Sequence, residues 1–121
     1  MPHLTLEYSS NLAGFDAGRT LAALNRTLAD SGQFEEIDIK SRALAFDHYA
    51  IGTTGQEARA FAHIKLAILS GRSDETKLAL SQALLQTLQS CSPAPKGLHV
   101  QLCAEILEIE RASYSKAAIT A

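Results

Sequence analysis

The chain has 121 residues, of which 46% are hydrophobic and 20% are charged, a composition typical of one globular domain. Its formal net charge is -2 without a strongly basic stretch, which disfavours a nucleic-acid partner, and its apolar runs are too short for a membrane span. Residues 1–5 show no secretory signal, so we expect a cytoplasmic protein with neither a nucleic-acid nor a membrane partner.

The first half of the chain predicts a strand, a helix and a second strand. Residues 2–8 alternate between apolar and polar side chains, as a half-buried strand does. Apolar residues then recur at helical spacing over residues 17–28, and Asp16 is placed to cap that helix. A second strand is expected over about residues 37–48.

The second half repeats this order after a predicted turn over residues 51–56. Residues 61–69 predict a third strand that is apolar on both faces, and residues 97–108 predict a fourth strand that alternates. Between them lies a second helix, capped by Ser73 and ended by Pro93. The predicted apolar face of this helix consists of Leu78, Leu80, Leu84, Leu85 and Leu88.

The repeated order predicts an α+β fold built from two fused βαβ units. The units are the pseudo-repeat halves 1–58 and 59–121 of a single domain that spans residues 1–121. Strands within each unit should be parallel, and the two units should join into one four-stranded sheet with both helices on one face. The other face of the sheet then needs cover, so we expect a homo-oligomer.

Pro2 is the first candidate for chemistry. Methionine is normally removed ahead of a small residue, and removal of Met1 would leave Pro2 with a free secondary amine. Such an amine titrates near about 8, and burial or neighbouring cations would lower its pKa. It could then both accept and return a proton, as general acid–base catalysis requires. The alternative is that Pro2 merely begins an edge strand.

Arg72 is the second candidate, because it follows Gly71 between a strand and a helix N-terminus, where backbone N–H groups favour anions. It could hold a substrate carboxylate there, or it could pair in solvent with Asp74 or Glu75.

Lys40 and Arg42 are the third candidate, since they share one face of the second predicted strand. Two neighbouring cations repel each other unless anions lie between them, and substrate carboxylates would supply those anions. The alternative is an exposed strand edge with two solvated charges.

The cysteines and histidines give no indication of a metal site. Cys91 and Cys103 have neither metal-ligand nor redox spacing, and their apolar neighbours predict buried, reduced thiols. The four histidines are too scattered to form a ligand set.

Three segments, taken together, resemble the 5-carboxymethyl-2-hydroxymuconate isomerase family. They are 1–11, 39–42 and 61–73, and the similarity extends in order over nearly the whole chain. Residues 71–77 are also similar to the opening of the helix in 4-oxalocrotonate tautomerase, which fits the duplication of a half-length unit.

The resemblance implies a tautomerase-superfamily fold, a homotrimer, and a reaction that needs neither a cofactor nor a metal. It implies a small dicarboxylate or tricarboxylate substrate and a place in the bacterial breakdown of homoprotocatechuate, an aromatic compound. There, a 2-hydroxymuconate that carries a carboxymethyl group would be isomerised to its unsaturated 2-oxo form.

By the same resemblance Pro2 is the catalytic amine and Arg72 binds a substrate carboxylate. The family's remaining arginine aligns with Lys40, and Arg42 lies two residues on. Lysine keeps the charge but loses the bidentate fork, so either Lys40 acts as a point charge or Arg42 reaches the same carboxylate. The tail 111–121 is only weakly similar, and no role is carried onto it.

The predicted mechanism is a dienol-to-ketone tautomerisation, in which the Pro2 amine takes the hydroxyl proton and returns it to a distal carbon. Two alternatives stay open from the sequence. One is a tautomerase that acts on another 2-hydroxydienoate or on a phenylpyruvate-like acid. The other is a non-catalytic trimeric ligand-binding or interaction protein with the same fold.

Overall fold

The structure, a computed structural model, describes residues 1–53, 55 and 58–120. Its elements are β1 His3–Ser9, α1 Ala17–Asp30, a 3-10 turn Glu36–Asp38, β2 Lys40–Phe46, β3 Arg59–Leu69, α2 Asp74–Cys91, β4 His99–Ile109, and a second 3-10 turn Arg111–Ser113. Neither α-helix in these ranges has the length and hydropathy that a bilayer crossing requires.

The four strands form one sheet in the order β2-β1-β3-β4. The outer pairs β1–β2 and β3–β4 are parallel, and the central pair β1–β3 is antiparallel. This arrangement confirms the predicted α+β fold of two βαβ units joined side by side. The division of a single domain into halves 1–58 and 59–121 stays a prediction.

The core lies between the two helices and one face of the sheet. Leu24 and Leu28 of α1 and Leu84 and Leu88 of α2 are fully buried against it. The strands contribute alternate residues to the same cluster, as their period of two requires: Leu4, Leu6, Ala60, Ala62, Ile64, Leu66 and Ile68. Burial of this apolar layer is the main stabilising contribution to the fold.

Both predicted helix caps are confirmed. The Asp16 carboxylate accepts a hydrogen bond from the backbone N–H of Arg19, and the Ser73 hydroxyl accepts one from that of Thr76. The second helix ends at Cys91, before Pro93. These bonds satisfy N–H groups that the first turn of a helix leaves without an intrahelical partner.

The second and third strands begin at other residues than predicted. The second strand begins at Lys40 rather than residue 37, because the 3-10 turn occupies Glu36–Asp38 and leaves Ile37 84% exposed. The third begins two residues earlier, at Arg59, which pairs with His99 at the start of the fourth. The predicted turn over 51–56 includes residues 54 and 56, which lie outside the described residues.

The sheet face opposite the helices is mixed rather than apolar. An ion pair and a hydrogen bond cross it, Lys65 Nζ to Glu7 Oε1 at 3.2 Å and His63 Nε2 to Glu105 Oε2 at 2.6 Å respectively. Leu44 and Leu107 are exposed, 54% and 41% respectively, and strand alternation places them on this face.

Cys103 is exposed on the same face, so the prediction of a buried thiol is wrong for this residue. It pairs in register with His63, whose side chain faces away from the helices. The apolar character of its neighbours along the chain did not reveal this, because alternate neighbours face the core.

Candidate active site

The topology gathers four chain segments at one end of the sheet. Parallel pairing places Lys40, the first residue of β2, beside His3, the first residue of β1. Antiparallel pairing places Ala67 of β3 on the other side of His3, and β4 ends at Ile109 beside Leu69. The start of the chain, the start of β2, the loop before α2 and the segment after β4 therefore meet.

Pro2 is fully buried at this end of the sheet. Its carbonyl accepts a hydrogen bond from the backbone N–H of Lys40 at 3.3 Å, which extends the β1–β2 ladder to the start of the chain. The ring is therefore held in place by the sheet and not by a loose terminus. In a chain that begins at Pro2, the free amine would be attached to this fixed ring.

The surroundings of the chain start favour a neutral amine. Burial lowers the pKa of the Met1 amino group below its ordinary value of 8.0, and the positive charges of Arg72, Lys116 and Lys40 lower it further. The carboxylate of Asp38 acts in the opposite direction. An amine at this position thus loses its proton more readily than one in water.

Arg72 is held by the loop that follows α1. Its Nε donates to the side-chain oxygen of Gln33 at 3.1 Å, its Nη2 donates to the backbone carbonyl of Gln33 at 2.9 Å, and the guanidinium carbon lies 4.7 Å from the ring centroid of Phe34. Gly71, at φ +125°, makes the turn that leads into this position. The guanidinium has five N–H donors, so capacity for a ligand remains. Among the described residues, its contacts are with Gln33 and Phe34 and not with the carboxylates of Asp74 or Glu75.

Lys40 and Arg42 lie on the open face of the sheet, in register with His3 and Thr5 of the adjacent strand, but they contact different residues. The Lys40 ammonium donates to the backbone carbonyl of Asp38 at 2.8 Å, and its charge acts on the chain start. Arg42 lies further along the strand, with Nη2 3.4 Å from Nδ1 of His3. Of the two, Lys40 is placed closer to the amine.

His3 links Arg42 to a tyrosine in the chain segment after β4. A guanidinium can only donate, so Nδ1 of His3 is the acceptor, and Nε2–H is left to donate to the hydroxyl of Tyr114 at 3.0 Å. Burial, together with Arg42, Lys40 and the terminal amine, lowers the pKa of His3 below its ordinary value of 6.5. The imidazole is therefore neutral at physiological pH.

Asp38, Tyr114 and Lys116 also lie at this end of the sheet, and the sequence did not identify them as candidates. Asp38 was expected inside a strand, and the tail was left without a role. The Lys116 ammonium lies 2.8 Å from Oδ1 of Asp38, and Arg111 Nε donates to the Ser70 carbonyl at 2.6 Å. The predicted parallel pairing of the last two strands could have indicated where the tail begins, because it places the end of the fourth strand beside the end of the third.

Residues 2–121 match a protein-family model, which is described as CHMI: 5-carboxymethyl-2-hydroxymuconate isomerase. The chain belongs to this family. The family model covers all the residues gathered at the chain start from Pro2 onward, including the tail. No curated protein sequence is a significant match.

Solved structures agree with the family assignment. A 5-carboxymethyl-2-hydroxymuconate isomerase from Deinococcus radiodurans R1 is 32% identical, with a TM-score of 0.84 over 96% of this chain and 88% of that one. A 5-carboxymethyl-2-hydroxymuconate delta-isomerase is 25% identical, with a TM-score of 0.81 over 99% and 89%. A fused 4-OT symmetric trimer shares the fold at 18% identity, with a TM-score of 0.75 over 95% and 91%. The protein is thus an isomerase of the tautomerase superfamily.

The isomerase has a counterpart of the Pro2 position at the opposite end of its sheet. There the backbone N–H of His99 donates to the Ala58 carbonyl at 3.0 Å, as that of Lys40 does to the Pro2 carbonyl. A cavity of about 520 Å³ lies nearby, lined in part by Tyr49. Because Ala58 is inside the chain, its nitrogen is an amide without basicity. The two ends therefore differ in one respect: removal of Met1 would give Pro2 a free amine, whereas Ala58 keeps its amide.

Proposed function

We propose that this isomerase converts 5-carboxymethyl-2-hydroxymuconate into its unsaturated 2-oxo isomer, without a cofactor, and that the amine of Pro2 carries the proton. The observation that supports this most is a fully buried proline at the chain start, where Arg72, Lys40 and Lys116 all act on the terminal amine. The proposal requires that Met1 be removed, since an amide nitrogen has no basicity.

In the proposed reaction the neutral Pro2 amine accepts the proton of the dienol hydroxyl. The electron pair of that O–H bond forms the new C=O bond, the double bonds shift along the chain, and the far carbon takes the same proton from the ammonium. No atom is gained or lost. An amine with a pKa close to the working pH suits both steps, because it must accept the proton and then release it.

The substrate carboxylates are proposed to bind Arg72 and Lys40. Arg72 is oriented by Gln33 and Phe34, so its remaining donors are preorganised for a planar carboxylate. Lys40 would act as a point charge at the position where the family has arginine, with Arg42 next to it. These cations would also stabilise the dienolate that forms between the two proton transfers.

We further propose that the enzyme is a cytoplasmic homotrimer in the breakdown of homoprotocatechuate. A structural neighbour is described as a symmetric trimer, and the open sheet face of this chain presents exposed Leu44 and Leu107 beside its polar side chains. Packing of that face against other copies would cover the two leucines.

The proposed function is tested by the substrate range of the purified enzyme. We expect the highest kcat/KM on 5-carboxymethyl-2-hydroxymuconate, lower values on 2-hydroxymuconate and the lowest on phenylpyruvate, measured by absorbance under identical conditions. A preference for either of the other two acids would favour the alternative tautomerase. Binding of the carboxymethyl compound without turnover, by protein whose N-terminus is sequenced as Pro2, would favour a non-catalytic binding protein.

A further inference from the structure

The chain segment after β4 returns across the end of the sheet that carries Pro2. Arg111 anchors it to the loop before α2 through the hydrogen bond of 2.6 Å described above. Beyond this anchor, Tyr114 contacts His3 at 3.0 Å and Lys116 contacts Asp38 at 2.8 Å. Three separate contacts therefore fix the path of the segment, and they place the Lys116 ammonium beside the chain start.

Asp38 orients the Lys116 ammonium without using up its capacity to bind. Lys116 retains 37% of its side-chain exposure and Asp38 retains 24%, so the pair is open to solvent on one side. An ammonium has three N–H donors, and one of them is directed at the carboxylate of Asp38. The hydrogen bond to Lys116 and its charge lower the pKa of Asp38, which stays ionised and keeps the lysine in place.

Among the side-chain charges that act on the terminal amine, those of Arg72, Lys116 and Lys40 are positive and that of Asp38 is negative. Arg72 and Lys40 would match two substrate carboxylates, and Lys116 acts on the same terminal amine as they do. The substrate named by the family carries three carboxylates, two of the muconate chain and one of the carboxymethyl arm. Lys116 is the further cation beside the terminal amine that could pair with the third carboxylate.

We propose that Lys116 is a further substrate-binding residue, which pairs with the carboxylate that distinguishes 5-carboxymethyl-2-hydroxymuconate from the dicarboxylate 2-hydroxymuconate. The inference rests on the proposed function. It gives the C-terminal segment a role in substrate specificity.

The test compares Lys116→Met with Lys116→Arg on both muconates, with Lys96→Met as the matched control. Lys96 is also exposed, but it lies in the loop before β4, at the opposite end of the sheet. We expect Lys116→Met to raise KM for the tricarboxylate about tenfold, as for loss of one partly exposed charge-assisted hydrogen bond, with kcat changed less than about twofold. KM for 2-hydroxymuconate should stay within about twofold, and Lys116→Arg should restore most of the loss.

An equal rise in KM for both compounds, or no rise for either, would overturn the assignment of Lys116 while leaving the proposed function intact. A loss of kcat on both would also overturn it, since that indicates a structural role. A wild-type enzyme that isomerises neither compound, although its N-terminus is Pro2, would overturn the proposed function and this inference together.

Discussion

The side chains around Pro2 affect both substrate binding and the protonation of the amine. Burial and the charges of Arg72, Lys116 and Lys40 lower the pKa of the Met1 amino group, and Asp38 raises it; an amine at Pro2, one residue on, would lie among the same side chains. The same cations attract the carboxylates of a substrate. A bound polyanion would offset their effect on the amine and raise its pKa, which favours uptake of the dienol proton after binding.

The proposed base predicts a definite pH dependence. Because the neutral amine is the proposed active form, kcat/KM should rise with pH to a plateau, with a midpoint below the pKa of the same amine in the unfolded chain. Asp38→Asn removes the carboxylate that raises this pKa, so the midpoint should move to lower pH. Asp47→Asn, at the opposite end of the sheet, serves as the control and should leave it in place. A midpoint shifted upward by Asp38→Asn would contradict this account of the amine.

Arg72 provides a second prediction at the residue scale. Arg72→Ala should lower kcat/KM about a hundredfold, since about 3 kcal/mol of charge-assisted hydrogen bonding to the substrate is lost. Arg72→Lys keeps the charge but loses the bidentate fork, so its kcat/KM should lie between that of the wild type and that of Arg72→Ala. The free energy of unfolding should change by less than about 1 kcal/mol, because the contacts of Arg72 within the described part of the chain are with the loop at Gln33 and Phe34. Disassembly or unfolding of Arg72→Ala would instead mark the residue as structural.

At the scale of the elements, local sequence patterns predicted those helices and strands whose position depends on residues close to one another along the chain. The cap residues Asp16 and Ser73 bond to N–H groups three residues away, so their role is visible in the sequence. The exposure of Ile37 was not visible in this way, because it depends on the 3-10 turn before β2. Leu78 lies about 160° around α2 from Leu80, on the side opposite to the buried Leu80, Leu84 and Leu88, so its inclusion in the predicted apolar face was wrong.

Helix α2 offers a matched test of this reading. Leu84 is fully buried between the helices and the sheet, whereas Leu78 is 58% exposed on the same helix. Leu84→Ala should lower the free energy of unfolding by about 2–5 kcal/mol, through lost burial and a cavity. Leu78→Ala should cost less than about 1 kcal/mol. Both values come from denaturant unfolding monitored by circular dichroism, and equal costs would contradict the burial described for this helix.

At the scale of the whole molecule, the open sheet face determines the expected assembly. The wild-type enzyme should sediment as three chains, and Leu107→Glu should dissociate it, because a charge would replace an exposed apolar side chain on the face that is to be covered. Leu78→Glu, on the helical side, should leave the assembly unchanged. A monomeric wild-type enzyme, or a Leu107→Glu variant that remains trimeric, would contradict the proposed interface.

The site itself was predictable only in part. Pro2, Arg72 and Lys40 lie in segments whose resemblance to the family is apparent in the sequence, and the strand pairing brings them to one end of the sheet. Tyr114 and Lys116 belong to a segment of weak similarity, far along the chain from the residues they contact. Their placement depends on the path of the chain after β4, which the hydrophobic periodicity of the sequence does not predict.

The central claim is that the amine of Pro2 carries the proton, and one comparison tests it most directly. The same enzyme is prepared in two forms, one proven by mass spectrometry to begin at Pro2 and one that retains Met1 by a block on its removal, and kcat/KM on 5-carboxymethyl-2-hydroxymuconate is measured for both. The form that begins at Pro2 should be active, and the form that retains Met1 should lose activity by at least about a thousandfold, because its proline nitrogen is an amide. Equal activity of the two forms would contradict the claim.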